Sequence, residues 1–212
     1  MKITKFVHSC LLVEMPEPVN RTILIDPGSM SRDLIEHHDF KYLDDILITH
    51  NHGDHMDVNL IEKLRDRFPD VRITATAEAV DQLGHRGITS TNTPPEGVKL
   101  FDAPHEPVEP LFPTPQEHGY HYLDKLTHPG DSHSFKDTMP VLALPVQGPW
   151  GAQVNAVKLA LQLRPKYIIP IHDWHWSDAA RASAYDMMEE AFRKEGMTFI
   201  KTVNGEPFVL DV

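Results

Sequence analysis

Ile46-Leu47-Ile48-Thr49-His50-Asn51-His52-Gly53-Asp54-His55 is the stretch from which the fold can be read. Its opening apolar run predicts a buried strand, and three imidazoles and a carboxylate follow within six residues. Neutral imidazole and carboxylate are the side chains that bind divalent first-row metals. On an extended chain His50 and His52 share a face, and in the turn that follows Asp54 and His55 can point into an adjacent volume. One ion cannot easily take all four groups, so the spacing predicts two adjoining metals. A chain with 14 histidines could gather several on a surface loop by accident. Alternation of ligand types just past the C-terminal end of a strand, where sheet proteins place their chemistry, favours the metal reading.

Composition sets the frame around that cluster. The 212 residues suffice for one sizeable core, and 41% hydrophobic with 24% charged residues is ordinary for a globular chain. No apolar run approaches the roughly 20 residues of a membrane span, and the first residues contain no signal-peptide core. The one cysteine, Cys10, excludes an internal disulfide and fits a reducing cytoplasm, the expected location. Its neighbours Leu11, Leu12 and Val13 make it a buried small hydrophobe rather than a nucleophile. A formal charge of −11 and the lack of any Lys/Arg run disfavour nucleic acid as the main partner.

Outward from the cluster, strand and helix patterns alternate as in an α/β chain. Residues 3–7, 10–13 and 22–25 read as strands, the last closed by Asp26-Pro27-Gly28. Residues 31–40 read as a short helix capped by Ser31, with His37 and His38 solvated. After the metal loop, apolar residues at 58, 60, 61, 64 and 68 have helical spacing behind a candidate cap, Asp57. A strand at 71–75 and a short helix at 78–83 follow.

The pattern begins again after a Thr/Pro-rich stretch at 89–97. A strand at 98–101 delivers Ala103-Pro104-His105, and residues 107–116, with four prolines, form a loop expected to shape the substrate pocket. A tight hairpin surrounds Asp124-Lys125, leading to Gly130-Asp131-Ser132. A buried strand at 141–144 runs into Gln147-Gly148-Pro149-Trp150-Gly151. A helix at 152–163 follows, with Val154, Val157, Leu159 and Leu161 as its apolar face. The strand at 167–171 ends on His172, and a Ser177-capped helix and two short strands close the chain. No stretch reads as an interdomain linker, so residues 1–212 are expected to form a single domain.

A two-metal site needs further ligands at strand ends that share a rim. His105, Asp131 and His172 each follow an apolar strand and open a loop. His118, thirteen residues past His105, also starts a strand and competes with it. His175 lies between Trp174 and Trp176 and is read as lining the pocket rather than ligating.

The His50-x-His52-x-Asp54-His55 pattern resembles the signature of the metallo-β-lactamase-fold hydrolases, and the likeness extends over most of the chain. It is similar most of all to the ascorbate-6-phosphate-lactonase-like branch, on Ala103-Pro104-His105, Gly130-Asp131-Ser132 and Pro170-Ile171-His172. This resemblance implies a four-layer αββα sandwich of two mixed sheets with outer helices. It also implies two divalent metal ions, zinc by preference with manganese or iron as alternatives. His50, His52 and His105 would hold one ion, Asp54, His55 and His172 the other, and Asp131 would bridge them. Asp26, by the same resemblance, would steady a ligand imidazole, although as a residue alone it also reads as a turn cap.

Two such metals can ionise a bridging water near neutral pH. The expected enzyme is therefore a metal-dependent hydrolase whose bridging hydroxide attacks a small-molecule lactone, ester, amide or phosphodiester. Asp131 would bridge the metals and Asp54 would help orient the nucleophile, with His175, His118 or His128 as acid for the leaving group. The alternatives are a phosphodiesterase or nuclease of the same fold, an iron-dependent oxidoreductase, and a non-catalytic metal binder. The hairpin before Gly130 is shorter than in that branch and the proline-rich loop is distinctive. The extra histidine turn of glyoxalase-II-like and lactamase-like branches is absent.

Overall fold

The computed structural model describes residues 1–212 and divides them into two compact units. The first comprises Met1–Pro95, Pro115–Glu117 and Val203–Val212, and the second Glu96–Thr114 and His118–Thr202. The boundary near residue 95 is where the strand–helix pattern of the sequence restarts. Three separate pieces of chain build the first unit.

In the first unit, β1 (Lys2–Lys5), β2 (Leu11–Met15), β3 (Arg21–Ile25), β4 (Asp45–Leu47) and β5 (Arg72–Thr74) pair in sequence order. The last strand of the chain, β12 (Pro207–Val209), lies outside β1. The β1–β2 and β2–β3 pairs are antiparallel, whereas β3–β4 and β4–β5 are parallel. The directions alone decide where the turns fall. Leu11 at the start of β2 faces Ile25 at the end of β3, and Ile25 faces Leu47 at the end of β4. The His8-Ser9 turn, the Asp26 turn and the His50–His55 loop therefore share one sheet edge.

Helices α1 (Arg32–Glu36), α2 (Val58–Arg67) and α3 (Ala77–Gly84) make the connections. Asp57 caps α2 as the sequence suggests, accepting from the Asn59 and Leu60 amides. The helix inserts Leu60, Ile61 and Leu64 into a core that includes Leu12, Leu24, Ile46 and Ile48. The expected helix over 31–40 is shorter, and Ser31 does not cap it. Its hydroxyl instead donates to the Val7 carbonyl at 2.6 Å, and the chain leaves the helix early to bury Phe40. His37 is exposed, but His38 is half-buried, edge-on to Phe6 and Phe40, which corrects its reading as solvated. Cys10 is buried in this core as expected, and desolvation pushes its thiol well above the ordinary range.

The second unit holds β6 (Val98–Phe101), β7 (Gly119–Tyr122), β8 (Leu126–His128), β9 (Val141–Pro145), β10 (Tyr167–Ile171) and β11 (Thr198–Phe199). They are ordered β11-β10-β9-β8-β7-β6. Because only the β6–β7 and β7–β8 pairs are antiparallel, β6, β8, β9 and β10 run in one direction. Their C-terminal ends, which lead to His105, Asp131, Trp150 and His172, fall at one edge. Leu123 and Asp124 both adopt left-handed backbone between β7 and β8, the geometry a tight hairpin requires.

Helices α4 (Gln153–Leu163) and α5 (Asp178–Arg193) pack on this sheet's core, α5 through Ala184, Tyr185, Met188 and Phe192 at helical spacing. The face of α4 differs from that expected. Ala156, Leu159 and Ala160 are buried, Val157 and Leu161 partly so, and Val154 is exposed. The small residues Ala156 and Ala160 thus mark the buried face better than the branched Val154. No helix is long and apolar enough to cross a membrane.

The fold class is the one the sequence suggests: α/β, with two mixed sheets and helices.

Candidate metal centre

The first unit gathers His50, His52, Asp54 and His55 in the loop between β4 and α2. The His50 ring lies 4.8 Å from His52 and 4.1 Å from His55, centre to centre. The His50 and His55 side chains are wholly buried, and each gives its Nδ1–H to a buried carboxylate. His55 donates to Asp26 at 2.8 Å and His50 to Glu117 at 2.6 Å. Asp26 also accepts from the Thr49 amide and hydroxyl, both at 2.8 Å. Of the two readings left open for Asp26, the geometry combines both: it ties the turn and orients an imidazole.

Gly28 completes this arrangement. A Cβ there would lie 1.6 Å from the Asp54 carbonyl oxygen, so only glycine allows the β3 turn to touch the ligand loop. His8, in left-handed backbone between β1 and β2, is buried and sets Nε2 3.1 Å from Asp54 Oδ2.

The second unit gathers His105, Asp131 and His172. His172 Nδ1 donates to the Gln147 carbonyl, and His105 Nδ1 to the Glu106 carbonyl at 2.5 Å. The Nε2 atoms of His172 and His105 lie 3.0 and 3.6 Å from one oxygen of Asp131, Oδ2. Trp150 Nε1 donates to the same oxygen at 3.1 Å. His118 turns to the Tyr120 hydroxyl at 2.8 Å, and His128 Nδ1 accepts from the Gly130 amide at 3.3 Å. His175 is exposed and stacks on His172 with ring centres 5.8 Å apart and planes 24° from parallel.

The donor chemistry fits a divalent metal. In four buried histidines, Nδ1 lies against a carboxylate or carbonyl oxygen, so Nε2 is the ring atom that would ligate a metal. That is the support that metal-bound histidine commonly has. In the second unit two such Nε2 atoms face one oxygen of Asp131, an arrangement that a bound cation would satisfy.

Three contributors carried no assigned role in the sequence reading: His8, Glu117 and Trp150. His8 could have been found from strand direction, because an antiparallel β1–β2–β3 run puts its turn at the ligand edge. Gly148-Pro149-Trp150-Gly151 had the look of a built turn. Glu117 gave no signal beyond its place next to His118.

Residues 2–172 match the family described as the beta-lactamase superfamily domain. Protein Rv0786c of Mycobacterium tuberculosis is 30% identical over 204 residues, spanning 90% of this chain and 92% of its own. A UPF0173 metal-dependent hydrolase of Pyrococcus furiosus is 27% identical over 205 residues, spanning 85% and 88%. Among solved structures, Igni18, a metallo hydrolase from Ignicoccus hospitalis, superposes with a TM-score of 0.68 at 18% identity, covering 99% of both chains.

Proposed function

The chain belongs to the beta-lactamase superfamily, and from this premise we propose that it is a two-metal hydrolase of small molecules. His50, His52 and His105 would hold one ion and Asp54, His55 and His172 the other, with Asp131 shared. The observation that carries the reading is the common setting of His50, His55, His105 and His172, each with Nδ1 engaged by a carboxylate or carbonyl oxygen. A purely structural histidine cluster has no need for four rings set alike. When bound, the metals supply an ionised water and stabilise charge on the oxygen of the substrate under attack.

The residues of the chain supply the rest. Asp26 and Glu117 keep His55 and His50 oriented, and His8 holds the Asp54 carboxylate. We assign His175 as the acid for the leaving group, because it is exposed and stacks on His172. The substrate class is an uncharged or weakly charged lactone, ester or amide, with small phosphodiesters next. The charge of −11 opposes a polyanion such as nucleic acid. We place the protein in the cytoplasm and regard its 212 residues as one domain.

The test is a hydrolysis panel of lactones, esters, amides and phosphodiesters, run on zinc- or manganese-loaded protein and on chelated protein. Turnover of one class that vanishes on chelation and in Asp131→Ala supports the proposal. Loaded protein that binds metal yet hydrolyses none of the four classes would overturn it, and iron retained on purification would favour oxidoreduction.

A further inference from the structure

We infer that Trp150 is a positioning residue for the metal centre, holding Asp131 through its indole N–H; this rests on the reading of Asp131 as a ligand. The turn after β9 is built around that indole. Gly148 and Gly151 exchange backbone hydrogen bonds at 3.1 and 3.2 Å, closing Gly148-Pro149-Trp150-Gly151 into a tight loop. A Cβ on Gly148 would lie 2.6 Å from Cε2 and 2.8 Å from Nε1 of Trp150. The space beside the backbone of Gly148 is therefore filled by the part of the ring that carries the N–H. His133, His172 and His105 meet the indole edge-on, at 5.2, 5.2 and 6.3 Å between ring centres. The ring is held from several sides, and its one polar atom is aimed at Asp131 Oδ2 at 3.1 Å.

That choice of side chain has chemical consequences. Indole is a donor only and neither gains nor loses a proton in the working range. It can fix the rotamer of a carboxylate without competing for the metal, whereas a histidine in its place could do both. The same oxygen faces Nε2 of His172 and of His105. An N–H on Oδ2 draws off part of its negative charge and holds it at one angle before any ion arrives. Preorganisation of this kind raises metal affinity, and loss of such a supporting partner commonly costs about 10–100-fold.

Trp150→Phe keeps an aromatic ring and removes the N–H. Gly148→Ala keeps the indole and displaces it; Gly148 does not have left-handed backbone, so alanine tests the space alone. Full-length protein is stripped by chelation and reloaded with zinc against a competing chromophoric chelator, and the melting of the metal-free form is followed in parallel. The expected result is zinc affinity lower by about 10–100-fold in both variants, with metal-free melting of Trp150→Phe close to that of the parent. A merely structural tryptophan would do the reverse, lowering metal-free melting and leaving zinc affinity unchanged, and that result overturns the inference. If Trp150→Phe does not fold, Gly148→Ala decides by the same comparison. Parent protein that binds no zinc would overturn the two-metal reading itself, an outcome distinct from equal affinity in parent and variants.

Discussion

Asp26→Asn separates the two duties of the buried aspartate under the ligand loop. One carboxylate oxygen accepts from the Thr49 amide and the other from the Thr49 hydroxyl and His55 Nδ1. Asparagine is nearly isosteric, and it tolerates the left-handed backbone at this position (φ 49°) better than most residues, so the backbone contributes little to the effect. Its oxygen can keep the Thr49 amide. Its NH2 then points at two former donors. The threonine hydroxyl can rotate to accept, but His55 can do so only by moving its proton from Nδ1 to Nε2. That proton occupies the lone pair a metal needs. Hydrogen bonds to a charged group contribute about 1.5–3 kcal/mol each, so weakening two of them should lower metal-free stability by about 3 kcal/mol. With a urea slope of about 2 kcal/mol/M, the midpoint falls by roughly 1–2 M. Metal affinity should fall separately, by about 10–100-fold. Urea unfolding of the stripped protein and chelator competition of the loaded protein measure the two effects. A lower midpoint with parental metal affinity would refute the tautomer reasoning and reduce Asp26 to a turn cap.

Gly28→Ala should be among the most damaging small substitutions. Its Cβ meets backbone of Asp54 at 1.6 Å, which no side-chain rotation relieves. A loss of about 3 kcal/mol or more and of bound metal is expected, and parental melting and metal content would contradict the described contact. Glu117→Gln leaves His50 without its anionic partner and should lower metal affinity about 10-fold with little change in substrate selectivity; chelator competition checks it. Alkaline stability follows from Cys10 and Tyr185. Burial, reinforced by Asp26 for the thiol and by Asp173 for the phenol, raises both in the folded protein. The unfolded chain releases these protons from about pH 8.5 and 10, respectively. Stability is therefore complete below about pH 8.5 and falls as pH rises beyond it. Urea midpoints from pH 8 to 10.5 should show the fall, with its first part absent in Cys10→Ala; a flat profile in the parent would refute it.

The residues that were legible in the sequence share a property: their meaning is local. A strand followed by His50, His52, Asp54 and His55 declares both an element and a chemistry within ten residues. The Asp57 and Ser177 caps lie beside the amides that they satisfy. His105, Asp131 and His172 could be nominated because each follows its own strand. What sequence reading missed depends on pairing. His8 meets Asp54 because β2 runs antiparallel to β3, a direction that periodicity does not encode. Glu117 belongs with the first unit although residues on both sides of its segment belong to the second. The buried face of α4 is not the one hydrophobicity selects, because Val154 outranks Ala156 on that scale yet is exposed while Ala156 is buried. The short α1 fails for a similar reason, since Ser31 has a better partner in Val7 than its own helix.

Counting metal ions on the purified chain tests the central claim most directly. Elemental analysis of protein reloaded with zinc or manganese and freed of excess should find about two ions per chain. The count should fall sharply in His50→Ala and in His172→Ala, variants that keep the Asp26–Thr49 ties intact. A reloaded parent that retains no ion, or variants that retain as many as the parent, would contradict the account.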